Sequence, residues 1–305
     1  MGFLRVTMRR GRVRRQVALL GFGLLLAAAG CSASSPSPAP TTTGAGSASA
    51  TGTAGSNSGL TWVIDSSALA GLSGAGLSNS QLSALFDNAH TYVLGATKAT
   101  AESANISAWT SPQSITVTDL RATGFSRGAA AVLYDVEDWA ATPKAQQENP
   151  AKYEAQGYKL ARARGVVFIA APAMDLVRVL DPTGSGTVVQ RFLSLDLIGQ
   201  AASNADVVDI QAQGLEGSAQ YTSFVTAAAQ QAKAANPDVK VLAGLSTNPS
   251  GRAISSTVLA QDANSVRGAV DGYWLNIPSG GSACPTCGTA RPQVAVPWLK
   301  QLLGG

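Results

Sequence analysis

Histidine and cysteine are scarce in this chain, with one His and three Cys in 305 residues. A multi-histidine metal site cannot be built from one imidazole, so no metal centre is expected. A Ser-His-Asp hydrolase would rest on His90 alone. Charge is scarce too, at 13% of residues, and the formal net charge of +4 is local. Arg5, Arg9, Arg10, Arg12, Arg14 and Arg15 stand in the first thirty residues with no acid among them. Setting those six aside leaves 16 basic against 18 acidic residues. A nucleic-acid binder keeps its basic patch after processing, so nucleic acid is not an expected partner. The chain also lacks a phosphate-binding glycine loop and a dinucleotide fingerprint, so no cofactor is expected.

The arginine-rich start leads into an apolar run from Val17 to Gly30 that ends in small residues. The run is short for a membrane span and has the form of an export signal, either general or twin-arginine through Arg14 and Arg15. Ala28-Ala29-Gly30-Cys31 resembles a bacterial lipobox, which implies a lipidated Cys31 as the new N-terminus. From Ser32 to Gly59 the chain holds only Ser, Ala, Pro, Thr and Gly, plus Asn57. It has no apolar side chain large enough to build a core, so disorder is expected. Its 28 residues would reach roughly 30 Å, a spacer between membrane and domain. The expected organisation is a signal over residues 1–30, a linker over 31–59 and a folded domain over 60–305. The expected location is outside the cytoplasm, anchored to the outer face of the membrane through Cys31.

Strand-like runs recur at Thr61–Ser66, Thr91–Ala96, Ser114–Thr118, Ala131–Glu137, Gly165–Pro172, Ala205–Gln213, Val239–Ser246 and Val270–Ile277. Most are apolar on both parities, as strands covered on both faces are. Helix-like segments alternate with them, the clearest being Pro150–Arg164 and Ser218–Ala235. Eight such strands in about 250 residues predict a single (β/α)8 barrel. A two-lobed solute-binding architecture is the competing reading.

Two short motifs carry specific chemistry elsewhere. Gly124-Phe125-Ser126-Arg127-Gly128 matches the nucleophile elbow G-x-S-x-G, but that elbow needs a strand before the Ser and a His after it. Here a strand follows, and His90 precedes. Cys284-Pro285-Thr286-Cys287 lies between glycine-rich segments, without the helix N-terminus that activates a redox thiol. Outside the cytoplasm a disulfide between Cys284 and Cys287 is expected.

Tyr134-Asp135-Val136-Glu137-Asp138-Trp139 is the most informative stretch. Period-two alternation turns Asp135 and Glu137 to one face. If that face is the barrel interior, two carboxyls meet at the C-terminal mouth, where barrel enzymes keep their chemistry. Close acids raise each other's pKa, and a protonated carboxyl beside an ionised one is what glycosidic cleavage uses. The alternative is that both acids cap the following loop, where Thr142-Pro143 signals a helix start. Other strand ends add Asp209, Gln211 and Gln213 on one parity, Trp274 and Asn276 on another, Asp175 beyond the fifth strand, and Asp65 on the first. Amides and ring faces of this kind suit hydroxyl-rich ligands.

The strand-end D-x-E resembles the catalytic strand of chitinase-like glycoside hydrolases. That resemblance implies Glu137 as the acid and Asp135 as the group assisting an N-acetyl substituent. The family carries further acids four and seven positions before the Glu, where this chain has Leu133 and Ala130. More broadly, Tyr134–Trp139, Thr142-Pro143, Ala170-Ala171-Pro172, Gln211-Ala212-Gln213 and Gly272-Tyr273-Trp274-Leu275-Asn276 resemble bacterial secreted barrel proteins related to glycoside hydrolases. The alanine- and glycine-rich composition resembles that of secreted actinobacterial proteins. The sequence-based expectation is thus an exported, lipid-anchored barrel that hydrolyses or binds a cell-envelope polysaccharide or other carbohydrate. Its expected catalytic residues are Glu137, Asp135 and Asp209. Its expected binding residues are Trp139, Asp175, Gln211, Gln213, Tyr273, Trp274 and Asn276. A non-catalytic carbohydrate- or solute-binding lipoprotein and a structural envelope protein are the alternatives.

Overall fold

The computed structural model describes residues 59–94, 130–140, 142–281 and 284–304, with the backbone alone of 112–114. The predicted signal and linker, and the Gly124–Gly128 motif, lie outside the described residues.

Eight strands make one sheet: β1 (Thr61–Asp65), β2 (Thr91–Leu94), β3 (Pro112–Ser114), β4 (Ala131–Val136), β5 (Val167–Pro172), β6 (Val207–Ile210), β7 (Lys240–Ser246) and β8 (Gly272–Asn276). Their order is β2-β1-β8-β7-β6-β5-β4-β3, and every hydrogen-bonded neighbour is parallel. This is the cyclic order of a (β/α)8 barrel, with β2 and β3 at the two ends of the ladder. The first and last strands therefore pair, Trp62 opposite Tyr273 and Ile64 opposite Leu275. Helices run between the strands, including Pro150–Arg162 and Gln220–Ala235. Pro150 starts the first of these, where its missing N–H costs no helical hydrogen bond.

The third strand differs from expectation. It covers Pro112–Ser114 rather than Ser114–Thr118 and pairs with Ala131–Leu133. Proline is tolerated as the first residue of a strand because that N–H need not join the ladder.

In β1, β2 and β4 to β8, alternate residues enter two separate apolar volumes. Val63, Leu133, Ile169, Ala171, Val207, Leu242 and Trp274 fill the barrel interior. Trp62, Ile64, Tyr134, Phe168, Val208, Leu245 and Tyr273 face the surrounding helices. There Trp62 meets the Phe86, Tyr273 and Trp298 rings at centroid separations of 5.1, 5.7 and 5.8 Å. Those rings fasten the helices Asn79–Phe86 and Val296–Leu302 over the seam where the first and last strands meet.

One acid is embedded in the outer layer. Glu154, on the helix Pro150–Arg162, is fully enclosed, and its Oε1 has no hydrogen-bond partner. Burial pushes its carboxyl from 4.5 to about 8. The folded chain thus keeps a proton that the unfolded chain releases above pH 4.5. This group costs nothing below that pH, and its cost grows as pH rises toward 8. Glu154→Gln should therefore be more stable than wild type at pH 8 by on the order of 1–3 kcal/mol, with the gain vanishing near pH 4. Urea unfolding at the two pH values checks this; an equal effect at both would contradict it.

Candidate active site at the barrel mouth

The C-terminal ends of the strands surround an open cleft of about 1150 Å³. β4 delivers Asp135 and Glu137 into it on the inward parity of Leu133. Asp135 Oδ1 accepts a 2.6 Å hydrogen bond from Gln211 Nε2, which also donates to the Ala171 carbonyl at 2.8 Å. The Gln211 amide thereby ties β6 to β4 across β5. The Asp135 and Glu137 side chains hydrogen-bond to each other. Burial raises both pKa values, and the charge of Asp135 raises Glu137 further. The Gln211 bond favours ionised Asp135. The pair therefore holds its proton on Glu137, which donates to an Asp135 carboxylate.

Among the described residues of the loop after β4, no backbone N–H donates to either acid. That loop is closed by Thr142, whose Oγ1 accepts from the Glu137 N–H at 3.3 Å and from Trp139 Nε1 at 2.7 Å. Gln147 Nε2 then donates to the carbonyls of Trp139 and Thr142. Thr142 and Gln147 thus hold Glu137 and Trp139 at the cleft. The pair Thr142-Pro143 signalled a helix start in the sequence and gave no hint of this second task.

The other expected residues separate into three groups. Asp65, Trp139, Asp175, Gln211, Gln213, Trp274 and Asn276 line the cleft with the two acids. Among them Asp65 Oδ1 accepts from Ser67 N and caps the following helix. Asp175 Oδ1 accepts from the Asp138 N–H at 3.0 Å, and Arg178 bridges Asp175 and Asp138 at 2.9 and 3.0 Å. Gln213 lies past the end of β6 and reaches back into the space beside Gly244, which any side chain at 244 would fill.

Asp209 forms a second group. It sits on the inward face of β6 below Gln211, fully buried, with neither oxygen hydrogen-bonded and outside the cleft lining. Burial first, and then the Asp135 charge, hold its carboxyl well above the ordinary range. It is a neutral acid in the barrel interior and does not face the cleft.

Tyr273 is a correction. Its side chain points outward into the aromatic seam, 1% exposed, and its hydroxyl donates to the Ala263 carbonyl at 2.8 Å. It cannot meet a ligand in the cleft, because its neighbour Trp274 takes the inward position and adjacent strand residues face opposite ways. His90 is exposed at the foot of β2. Cys284 and Cys287 are joined in a disulfide with a Cα–Cα separation of 5.4 Å, as expected, and both stand at the cleft. Among the described residues, no cluster of His, Cys, Asp and Glu is arranged to hold a metal ion.

No family model matches the chain, and no curated protein matches it. Several solved structures are similar in shape. One is a chitinase from Chromobacterium violaceum, at 11% identity and a TM-score of 0.44, covering 81% of this chain and 99% of the other. The PgaB (BpsB) glycoside hydrolase domain from Bordetella bronchiseptica has 9% identity and a TM-score of 0.41, over 71% and 93%. A sugar phosphate isomerase/epimerase from Parabacteroides distasonis has 9% identity and a TM-score of 0.40, over 83% and 94%. The barrel itself is read from the strand order.

Tyr273→Phe removes one buried hydrogen bond and leaves the Ala263 carbonyl unpaired. It should cost about 1–2 kcal/mol of stability and leave any ligand affinity of the cleft unchanged. Denaturation beside a ligand titration checks both, and a loss of affinity would return Tyr273 to the site.

Proposed function

We propose that this protein is a glycoside hydrolase acting on a neutral or amino-sugar polymer, with Glu137 as general acid. The observation that carries the reading is the Glu137–Asp135 carboxyl pair on the lip of an open cleft, with burial pushing both acids upward and the charge of Asp135 pushing Glu137 further. Glu137 faces that cleft with a transferable proton, the state a leaving glycosidic oxygen requires. Asp135, ionised and held by Gln211, is set to accept a hydrogen bond from an acetamide N–H, as the chitinase-like resemblance implies. The acetamide oxygen of the substrate would then attack the anomeric carbon as Glu137 protonates the departing oxygen. Trp274 and Trp139 offer ring faces for sugar rings, and Gln213 and Asn276 offer amides for hydroxyls. The described lining includes Asp65, Asp135, Glu137 and Asp175 and no Lys, Arg or His. Uronic acids and phosphorylated glycans therefore fit this surface poorly. The sequence supports export and tethering through a lipidated Cys31, which would present the barrel to polymers of the cell envelope.

A second reading, a non-catalytic carbohydrate-binding barrel, has one observation in its favour. The other acids of the mouth are already engaged, Asp65 at a helix cap and Asp175 with Arg178. Among the described residues, Asp65 and Asp175 are thus not free to activate water, and the hydrolytic reading draws instead on the substrate's own acetamide.

Glu137→Gln keeps the shape and removes the proton. On a panel of envelope and chitin-type glycans, turnover should fall by about 10²–10⁴ with binding retained. Wild-type turnover should decline at alkaline pH as Glu137 loses its proton, and at acid pH as Asp135 gains one. Turnover by Glu137→Gln at the wild-type rate would overturn the mechanism. Binding without release by wild type would establish the second reading.

A further inference from the structure

The Cys284–Cys287 disulfide takes no part in the chemistry assigned to Glu137, yet it stands in the wall of the same cleft. Both cysteines line it, along with Ser279 and Gly280 from the chain leaving β8. The ring closes over a sequence separation of only three residues. So short a loop restrains little of the unfolded chain, and its effect is to shape the backbone locally. In the circle of strands β8 lies four places from β4, so this ring faces Glu137 across the mouth.

The ring is fastened to the end of β7 by one buried amide. Asn248 is 1% exposed. Its Nδ2 donates to the Cys287 carbonyl at 2.8 Å and to the Pro278 carbonyl at 3.3 Å, spanning both stems of the loop. Its Oδ1 accepts from Thr247 Oγ1 at 3.0 Å, which fixes the orientation of the amide. Inside the loop the Gly280 N–H donates to the Gly288 carbonyl, and the Cys287 N–H donates to the Cys284 carbonyl at 3.2 Å. Gly251, at φ +82°, lies directly against the Thr286 carbonyl, where a Cβ would collide. The loops after β7 and β8 are therefore packed backbone to backbone, and Pro249 and Ser250 of the first share the cleft lining with the second.

We propose that the Cys284–Cys287 ring, clasped by Asn248, is a specificity-determining wall that bounds the sugar-binding cleft opposite Glu137 and sets how firmly an oligosaccharide is gripped. This rests on the glycan reading of the site. The wall works by being fixed in advance: a loop already ordered spends no binding energy on its own ordering. Opening the ring leaves the acid pair in place and frees the wall.

The test compares wild type, Cys284→Ser/Cys287→Ser and Asn248→Ala. Hydrogen exchange is read over residues 284–288 and 246–252, with 131–137 as control. In both variants exchange of the two loop segments should rise about tenfold or more, with the control strand unchanged. Unchanged exchange over 246–252 in the cysteine variant would overturn the clasp, as would an equal rise over 131–137. N-acetylglucosamine oligosaccharides of two to six units then probe the grip. Their Kd should rise about tenfold in each variant. An unchanged Kd with loosened loops would overturn the wall as a specificity element. If wild type binds none of them, the glycan reading and the claim on affinity fall together, while exchange still decides whether the disulfide anchors the end of β7.

Discussion

Seven of the strands, β1, β2 and β4 to β8, serve two apolar volumes at once, and that constraint organises the rest of the molecule. A parallel strand covered on both faces must send alternate side chains to different interiors. On β4 one parity carries Val132, Tyr134 and Val136 to the helices, and the other carries Leu133 and Asp135 to the barrel axis. Leaving the strand on that second parity puts Glu137 beside Asp135 at the mouth. The same rule separates Trp274, on the cleft, from Tyr273, on the outer seam.

The mouth gathers carboxyl groups that the apolar interior disfavours. Three acids follow the inward parity: Asp209 buried, Asp135 part-buried and Glu137 at the lip. Their surroundings give them different states. Asp209 has no partner and stays neutral. Asp135 has the Gln211 amide and becomes the ionised member. Glu137 is then pushed upward by burial and by its neighbour. Environments that drive paired carboxyls apart in this way assign acid and base roles. Arg178 bridges Asp175 and Asp138, and the charge of Asp175 adds to the upward push on both Asp135 and Glu137.

Much of this was legible in the sequence, because a strand's period of two is short and strict. Six of the eight strands begin and end close to their sequence-predicted limits, β6 is shorter at Val207–Ile210, and Asp135, Glu137, Gln211, Trp274 and Asn276 all reach the mouth. The displaced strand, β3, has too few apolar residues to mark its limits. Tyr273 adjoins Trp274 in the chain, and the alternation that sends Trp274 to the cleft sends Tyr273 outward. Gln213 lies beyond the strand end, so its inward turn follows from the space at Gly244 rather than from parity. The clasp leaves little trace in the sequence, because the carbonyl that Asn248 holds, in Cys287, lies 39 residues away.

The proposed chemistry turns on where the shared proton resides. Carboxyl carbon-13 NMR, with Glu and Asp side chains labelled and Asp135→Asn and Glu137→Gln used for assignment, follows both acids across pH without any substrate. Glu137 should remain protonated through neutrality and titrate after Asp135, each above its ordinary range, because burial penalises both charges and the first ionisation opposes the second. In Asp135→Asn, Glu137 should titrate lower than in wild type, since the neighbouring charge is gone while burial persists. A Glu137 that ionises in the ordinary range of glutamate in the wild-type protein would contradict the proposed acid.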